Sequence, residues 1–398
     1  VSEPLDQPKP QIELARNDKG VPFPNHANVV YALQHDVMYA PERLWYDEFY
    51  DRVFVAKSPA QMWRDADDTQ TAVDMQSRFG IRGVSLQVVA SAVQYVARQR
   101  TKHCVRDWLN SLTWDGTPRI ETAFEDYWGA EGTLYTKAAS RNFFIGLAAR
   151  ILLPGCKLDT MPVFEGPQGI RKSSALQVLG GQWYSVAHES VSSKDFLQGM
   201  RGRLLIEIAE LQSFTRAEVN AVKTMMSNQV DDYRPSYGRN VVAYPRQCIL
   251  AGTTNSKEWG DDETGLRRFW PIRCGDINIP LLAAAREQLF AEARELAAAG
   301  ASWWQMPDTT AAIQSSRQFH DEWTTPILTW CNIQPTDPGI SIRDILTTAL
   351  EVDLDKIDKR MQMRVAKILR LNGWDKDDRW QGKTVKLWQK VDSQGGKS

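Results

Sequence analysis

Cysteine and histidine are scarce: five of each occur in 398 residues. Cys104, Cys156, Cys248, Cys274 and Cys331 are scattered with no C-x-x-C pair, and no H-E-x-x-H occurs. That excludes a disulfide framework and the common zinc motifs, and it suits a reducing cytoplasm. No apolar run reaches transmembrane length and no signal peptide is present, so no membrane partner is expected. Net charge is nearly absent, at −1, so contact with nucleic acid has to come from a local basic patch. The hydrophobic share of 42% and the charged share of 24% are those of an ordinary globular protein, with room for two or three domains. The chain opens on Val1 rather than methionine, and the expectation is a portion of something longer.

What is present centres on one stretch. Met161-Pro-Val-Phe164 reads as a buried strand, Glu165-Gly166-Pro167-Gln168-Gly169-Ile170-Arg171 as a glycine-bearing loop, and Lys172-Ser173-Ser174 onward as a helix start. Strand, glycine loop, Lys-Ser and helix is the order a phosphate-binding loop needs. Backbone N–H groups turn in on phosphate oxygens, and the helix N-terminus adds positive potential. Lys172 would neutralise the β- and γ-phosphates of ATP, and the Ser173 hydroxyl would ligate Mg²⁺. One position departs from the usual G-x-x-x-x-G-K-[ST]: Arg171 stands where glycine is common.

Three further stretches fit the same chemistry. Arg203-Leu-Leu-Ile-Glu207-Ile-Ala-Glu210 is an apolar strand ending in carboxylates, one to hold the metal's water shell and one to polarise the attacking water. Gln247-Cys-Ile-Leu-Ala-Gly-Thr253-Thr254-Asn255 is a buried strand with a polar end that can orient that water. Arg267 and Arg268 follow, and fit an arginine finger at a subunit boundary. Singly, each has a plain structural reading: a turn, acids that cap the next helix, surface charge.

The C-terminal region is basic. Between 356 and 390 there are 11 Lys or Arg against 4 Asp. Ser341 caps a helix through Leu350, Asp358–Leu371 is a second helix, and Arg379–Trp388 alternates around Gln-Gly as a hairpin does. Helix, helix and wing suggest a winged-helix module. Arg364 and Lys367 on its second helix are candidates for DNA phosphate; a solvated basic face is the alternative.

With these motifs assembled, the chain resembles the virulence-associated protein E family of phages, plasmids and genomic islands, which is similar to the superfamily 3 helicases. Trp114-Asp-Gly-Thr-Pro-Arg119, the loop, Glu207-Ile-Ala-Glu210-Leu, Asp232-Tyr-Arg-Pro-Ser-Tyr-Gly-Arg239, Gly252-Thr-Thr-Asn255 and Glu263-Thr-Gly-Leu-Arg-Arg-Phe-Trp-Pro271 carry the resemblance. They run in family order over about residues 100–275. The resemblance implies an α/β fold with a P-loop AAA+-like core of superfamily 3 helicase type, assembled as a homo-hexamer around single-stranded or forked DNA. It implies ATP and Mg²⁺ at residues 166–174, with Ser173 and Glu207 toward the metal. Glu207 and Glu210 would be the acidic motif, Asn255 the sensor, and Arg267 or Arg268 the finger. It places Arg234, Tyr237 and Arg239 near DNA in the channel, although these could serve the subunit boundary instead. Members often carry a primase domain upstream, and a host replication protein is a further candidate partner.

The expected organisation is a linker over 1–25, a mostly helical accessory domain over 26–154, the ATPase core over 155–300, and a connector over 301–339. A basic winged-helix-like domain over 340–391 and a short tail follow. The rival reading is a nucleotide- and DNA-binding replication or interference module in which Arg171 has weakened catalysis.

Overall fold

The computed structural model describes residues 13–57, 60–188, 190–191, 193–235, 240–256, 266–317, 322–335, 339–377 and 387–390. The chain divides into two compact units, one of residues 1–255 and 268–310, the other of 256–267 and 311–398.

In the first unit, residues 13–25 fold back on α1 (His26–His35). The Asn28 side chain accepts from the Ala15 N–H at 2.8 Å and donates to the carbonyls of Ala15 and Phe23. The stretch Leu44–Val55 forms a hairpin of β1 (Leu44–Asp47) and β2 (Arg52–Val55). Two-residue strands, β3 (Gln61–Met62) and β4 (Thr101–Lys102), widen it into a four-stranded sheet in the order β3-β2-β1-β4. Two residues are too few to display an alternating pattern, so these short strands carry no signal in the sequence. The helices α2 (Asp65–Ser77) and α3 (Leu86–Arg98) supply the rest of this core. Val89, Val93 and Val96, spaced along one helical face, are buried with Leu33, Leu44 and Met75.

After α4 (Cys104–Ser111), α5 (Ala123–Trp128) and α6 (Leu134–Leu152) comes the central sheet. Its strands are β5 (Met161–Glu165), β6 (Tyr184–Val186), β7 (Leu205–Ile208), β10 (Ile249–Thr254) and β11 (Phe269–Arg273). Between them lie α7 (Lys172–Gly180), α8 (Lys194–Gly199), α9 (Arg216–Ser227) and an antiparallel pair, β8 (Val230–Tyr233) with β9 (Val242–Pro245). The order is β11-β5-β10-β7-β6 and every pairing is parallel. Strands β5, β7 and β10 are buried throughout, which is why they read as unbroken apolar runs. Because all five run the same way, their carboxyl ends line one edge.

The long helix α6 is buried along most of its length; its Phe143 and Phe144 join Phe124, which packs edge-on against Phe164 of β5. Helix α10 (Ile279–Ala298) packs on α6 and explains the Trp114–Arg119 motif. The buried Glu292 carboxylate accepts the N–H groups of Arg119 and Ile120 at 2.6 and 3.0 Å, and Gln288 accepts from the Asp115 N–H at 2.9 Å. Arg294 caps the end of α4 through the carbonyls of Asn110 and Leu112. The motif is therefore a strap that fastens the preceding helix to the core.

The second unit contains α12 (Thr324–Asn332), which follows α11 (Thr310–Ser315), and then β12 (Ile340–Ser341). Ser341 caps a helix as expected, accepting from the Asp344 N–H at 3.1 Å, but α13 (Ile342–Asp344) passes at once into a π-helical turn, Ile345–Ala349. Helix α14 (Lys359–Leu371) runs as expected, capped by Asp358. Strand β13 (Trp374–Asp377) pairs antiparallel with β14 (Leu387–Lys390) in a sheet of order β12-β14-β13, with Asp377 opposite Leu387. Trp374 is buried with Trp388, Ile345, Val365 and Ile368. Most of the hairpin expected over Arg379–Trp388, its Gln381-Gly382 tip included, lies outside the described residues.

Candidate functional site

Strand β5 ends at Glu165 and the glycine loop leaves the carboxyl edge of the sheet there. Gly169 sits at φ 87°, a conformation glycine adopts freely. A Cβ at Gly166 would lie 2.6 Å from Ile170 Cδ1, so the isoleucine side chain would have to shift to make room. The loop closes on Arg171, which holds φ 72° and ψ 28° at the N-cap of α7. A left-handed non-glycine residue costs about 1–2 kcal/mol. No side chain caps α7, so its first amides have no side-chain acceptor and suit an anion.

Lys172 is buried, and its Nζ donates to the carbonyls of Gly166 and Pro167 at 2.7 and 2.9 Å and to Asn255 Oδ1 at 3.1 Å. Burial lowers the pKa of its ammonium from the ordinary lysine value, opposed by the nearby Cys274 and Glu207. On the other side of the loop Ser173 Oγ donates to Glu207 Oε1 at 2.7 Å. Glu207 is fully buried at 0% exposure, where an unpartnered carboxylate would be costly. Three hydroxyls satisfy it: Ser173, Thr253 Oγ1 at 2.6 Å, and the Tyr184 hydroxyl on the second oxygen, Oε2. Burial, and then the hydrogen bond to Glu207, push the Tyr184 pKa up, so it stays a donor. The parallel register makes this convergence. Ala251 faces Glu207 across β10 and β7, Thr254 faces Glu165 across β10 and β5, and Tyr184 of β6 leans diagonally from its partner Leu205.

A cavity of about 370 Å³ opens over these groups, lined by Gln168, Gly169, Arg171 to Ser174, Ala209, Glu210 and Thr253 to Asn255. Glu210 is exposed there and, like Arg171, holds a positive φ, of 54°. Two strained residues at one cavity are what a site that fixes its groups in advance would carry. The sheet thus brings together Lys172, Ser173, Glu207, Glu210 and Asn255. It does not bring the arginines to them. Arg268 directly precedes β11, whose first residue Phe269 pairs with Met161, so it lies at the amino end of the sheet, roughly 15 Å along the strand from the loop. Arg267 falls in the other unit and is exposed.

Of the residues expected near DNA, Arg234 is exposed just beyond β8; Tyr237 and Arg239 lie outside the described residues. In the second unit Arg364 is exposed with its guanidinium 4.0 Å over the Trp323 ring, and Lys367 is half-buried. Tyr184 is the site residue that sequence reasoning missed. A lone tyrosine on a short edge strand carries no signal until the strand order is known.

Among the described residues no group of three or more His, Cys, Asp or Glu side chains stands ready to hold a metal ion. One hydroxyl beside one carboxylate instead fits Mg²⁺, which keeps waters and takes substrate oxygens. The cavity's size, its lysine and its free amides fit a polyphosphate.

Apo structures of the NrS-1 C-terminal region align with TM-scores of 0.45 and 0.46 at 12% identity, covering 83% and 81% of this chain and 83% and 82% of those chains. Likeness at that level carries no part of the argument. No curated protein matches. The model of the virulence-associated protein E-like domain matches residues 109–322, more than half of the chain. That span begins just before the strap, takes in the loop, the acidic strand and the polar strand end, and runs past the arginine pair, so the chain belongs to the virulence-associated protein E-like family.

Proposed function

We propose that this chain is an ATP-dependent DNA helicase or translocase of superfamily 3 type, serving replication of a phage, plasmid or genomic island in the bacterial cytoplasm. One observation carries the reading: Lys172, the Ser173–Glu207 pair and Asn255 converge on one cavity at the carboxyl edge of a parallel sheet. The strand order and the loop that follows β5 support a P-loop AAA+-like core. The β12–α13–α14–β13–β14 succession, with its basic α14, supports a winged-helix reading of the C-terminal module.

In this reading the loop amides and Lys172 bind the β- and γ-phosphates, with Lys172 exchanging its carbonyl acceptors for phosphate oxygens. Ser173 and Glu207 would hold Mg²⁺, which when bound neutralises charge developing between the β- and γ-phosphates. Glu207 keeps the Ser173 hydroxyl oriented and is itself held in place by its three hydroxyl donors. Glu210, exposed on the cavity wall, is placed to accept the proton of the attacking water. Asn255 holds Lys172 and faces the cavity, where it can orient that water. Arg267 or Arg268 would reach the γ-phosphate of a neighbouring subunit, since Arg268 lies far from its own loop; this asks for a ring, which the reading takes as a homo-hexamer. Arg234, Tyr237 and Arg239 would follow single-stranded DNA through the channel, and Arg364 and Lys367 would hold duplex or fork phosphates.

The test is unwinding of a forked duplex by the parent and by Lys172→Ala. Loss of unwinding with DNA binding retained supports the motor; equal unwinding by both sinks it. A second reading has one observation in its favour, the strained Arg171 at the loop's closing position. It is a nucleotide- and DNA-binding module with little turnover, and it predicts DNA binding without unwinding by the parent.

A further inference from the structure

The two cations of the loop are in different states. Lys172 is buried, and its three donors are spent on Gly166, Pro167 and Asn255. Arg171, one residue earlier, is exposed and lines the same cavity, and its side chain makes no hydrogen bond or ion pair with any described residue. Glu210, the acid on that cavity's wall, does not pair with it. The backbone holds Arg171 in the left-handed region, where a side chain is disfavoured. A residue kept there, with a guanidinium free at the mouth of a phosphate-sized cavity, has a use for its side chain.

We infer that Arg171 is the loop's polyphosphate-capturing side chain: its guanidinium engages a di- or triphosphate first, before Lys172 is released from the loop carbonyls. A guanidinium suits this step. It is always charged, is less tightly hydrated than an ammonium, and offers a planar fork of donors that matches two phosphate oxygens. Lys172 cannot make the first contact without giving up three hydrogen bonds. Capture by Arg171 supplies the negative charge that draws Lys172 across. The consequence is a loop that prefers di- and triphosphates to monophosphates and retains them. The inference rests on the nucleotide-site reading but adds a role for the side chain where that reading needs only the backbone.

The probe is inorganic tripolyphosphate, with ADP and AMP beside it, titrated calorimetrically at low and moderate salt into the parent and four variants. Arg171→Met should weaken tripolyphosphate about tenfold, the worth of one charge-assisted hydrogen bond, and flatten the salt dependence. AMP should change little. Arg171→Lys, which keeps the charge, should hold most of the affinity. Arg171→Gly should lose as much as Arg171→Met although its backbone is relieved. Binding to Arg171→Met within twofold of the parent overturns the inference, and so does tighter binding to Arg171→Gly, which would make Arg171 an obstruction. If Lys172→Ala loses tripolyphosphate while Arg171→Met keeps it, the nucleotide site stands without Arg171. If the parent binds none, both fall.

Discussion

The two ends of the central sheet differ in kind. At the carboxyl end, β5, β7 and β10 bring Lys172 and Asn255 to one cavity with Glu207 buried beneath it behind Ser173 and Thr253, and each of these polar groups already has a partner: lysine on carbonyls, carboxylate on three hydroxyls. At the amino end, Arg268 enters β11 with its Nε buried and without a hydrogen-bond partner among the described residues. The carboxyl end is a satisfied cluster, and a buried guanidinium nitrogen without an acceptor is costly. The difference is that this fold gathers the loop, the acids and Asn255 at one end of the sheet and leaves Arg268 at the other; the proposed function assigns the arginine to a neighbouring subunit.

The comparison breaks most sharply by mixing. Arg268→Ala, or Arg267→Ala if that residue is the finger, should lose about 10³-fold in ATP hydrolysis, the usual worth of an arginine finger. Lys172→Ala should lose a comparable amount. Combined, the two inactive proteins should recover part of the activity, because some interfaces then pair an intact loop with an intact arginine. No recovery over a range of mixing ratios would place both defects in one subunit.

A smaller effect separates the groups within the carboxyl end. Tyr184→Phe removes one of the three hydroxyls on Glu207 and leaves the fold alone. The carboxylate loses one of the donors that hold it beside Ser173. Turnover should fall several-fold and half-saturation by Mg²⁺ should rise. Unchanged turnover and Mg²⁺ dependence would mean that Tyr184 only packs. The smallest effect concerns the backbone: Arg171→Gly removes the left-handed penalty but loosens the unfolded chain. Apparent stability to denaturant should rise by about 0.5–1 kcal/mol. A loss of stability would show that the Arg171 side chain packs favourably.

Much of the carboxyl end is legible in the sequence, because buried parallel strands read as apolar runs and the groups that matter sit where the runs stop. Phe164 to Lys172, Ile206 to Glu207 and Leu250 to Asn255 all follow that rule. What could not be read depends on strand order. Tyr184 reaches Glu207 only because β6 is the neighbour of β7, and Arg268 is distant from the loop only because β11 runs parallel to β5 at the sheet's edge. The Trp114–Arg119 motif could be recognised but not explained until Glu292, on a helix far along the chain, was seen to hold it. In the second unit β13, anchored by Trp374 in the core, shows no such apolar run, and only its pairing with β14 reveals it as a strand.

The measurement that bears most directly on the central claim is ATP hydrolysis by this chain with and without single-stranded DNA, with Lys172→Ala as control. The account predicts turnover that rises when DNA is added and vanishes in Lys172→Ala. Turnover that ignores DNA, or that survives loss of the lysine, would contradict it.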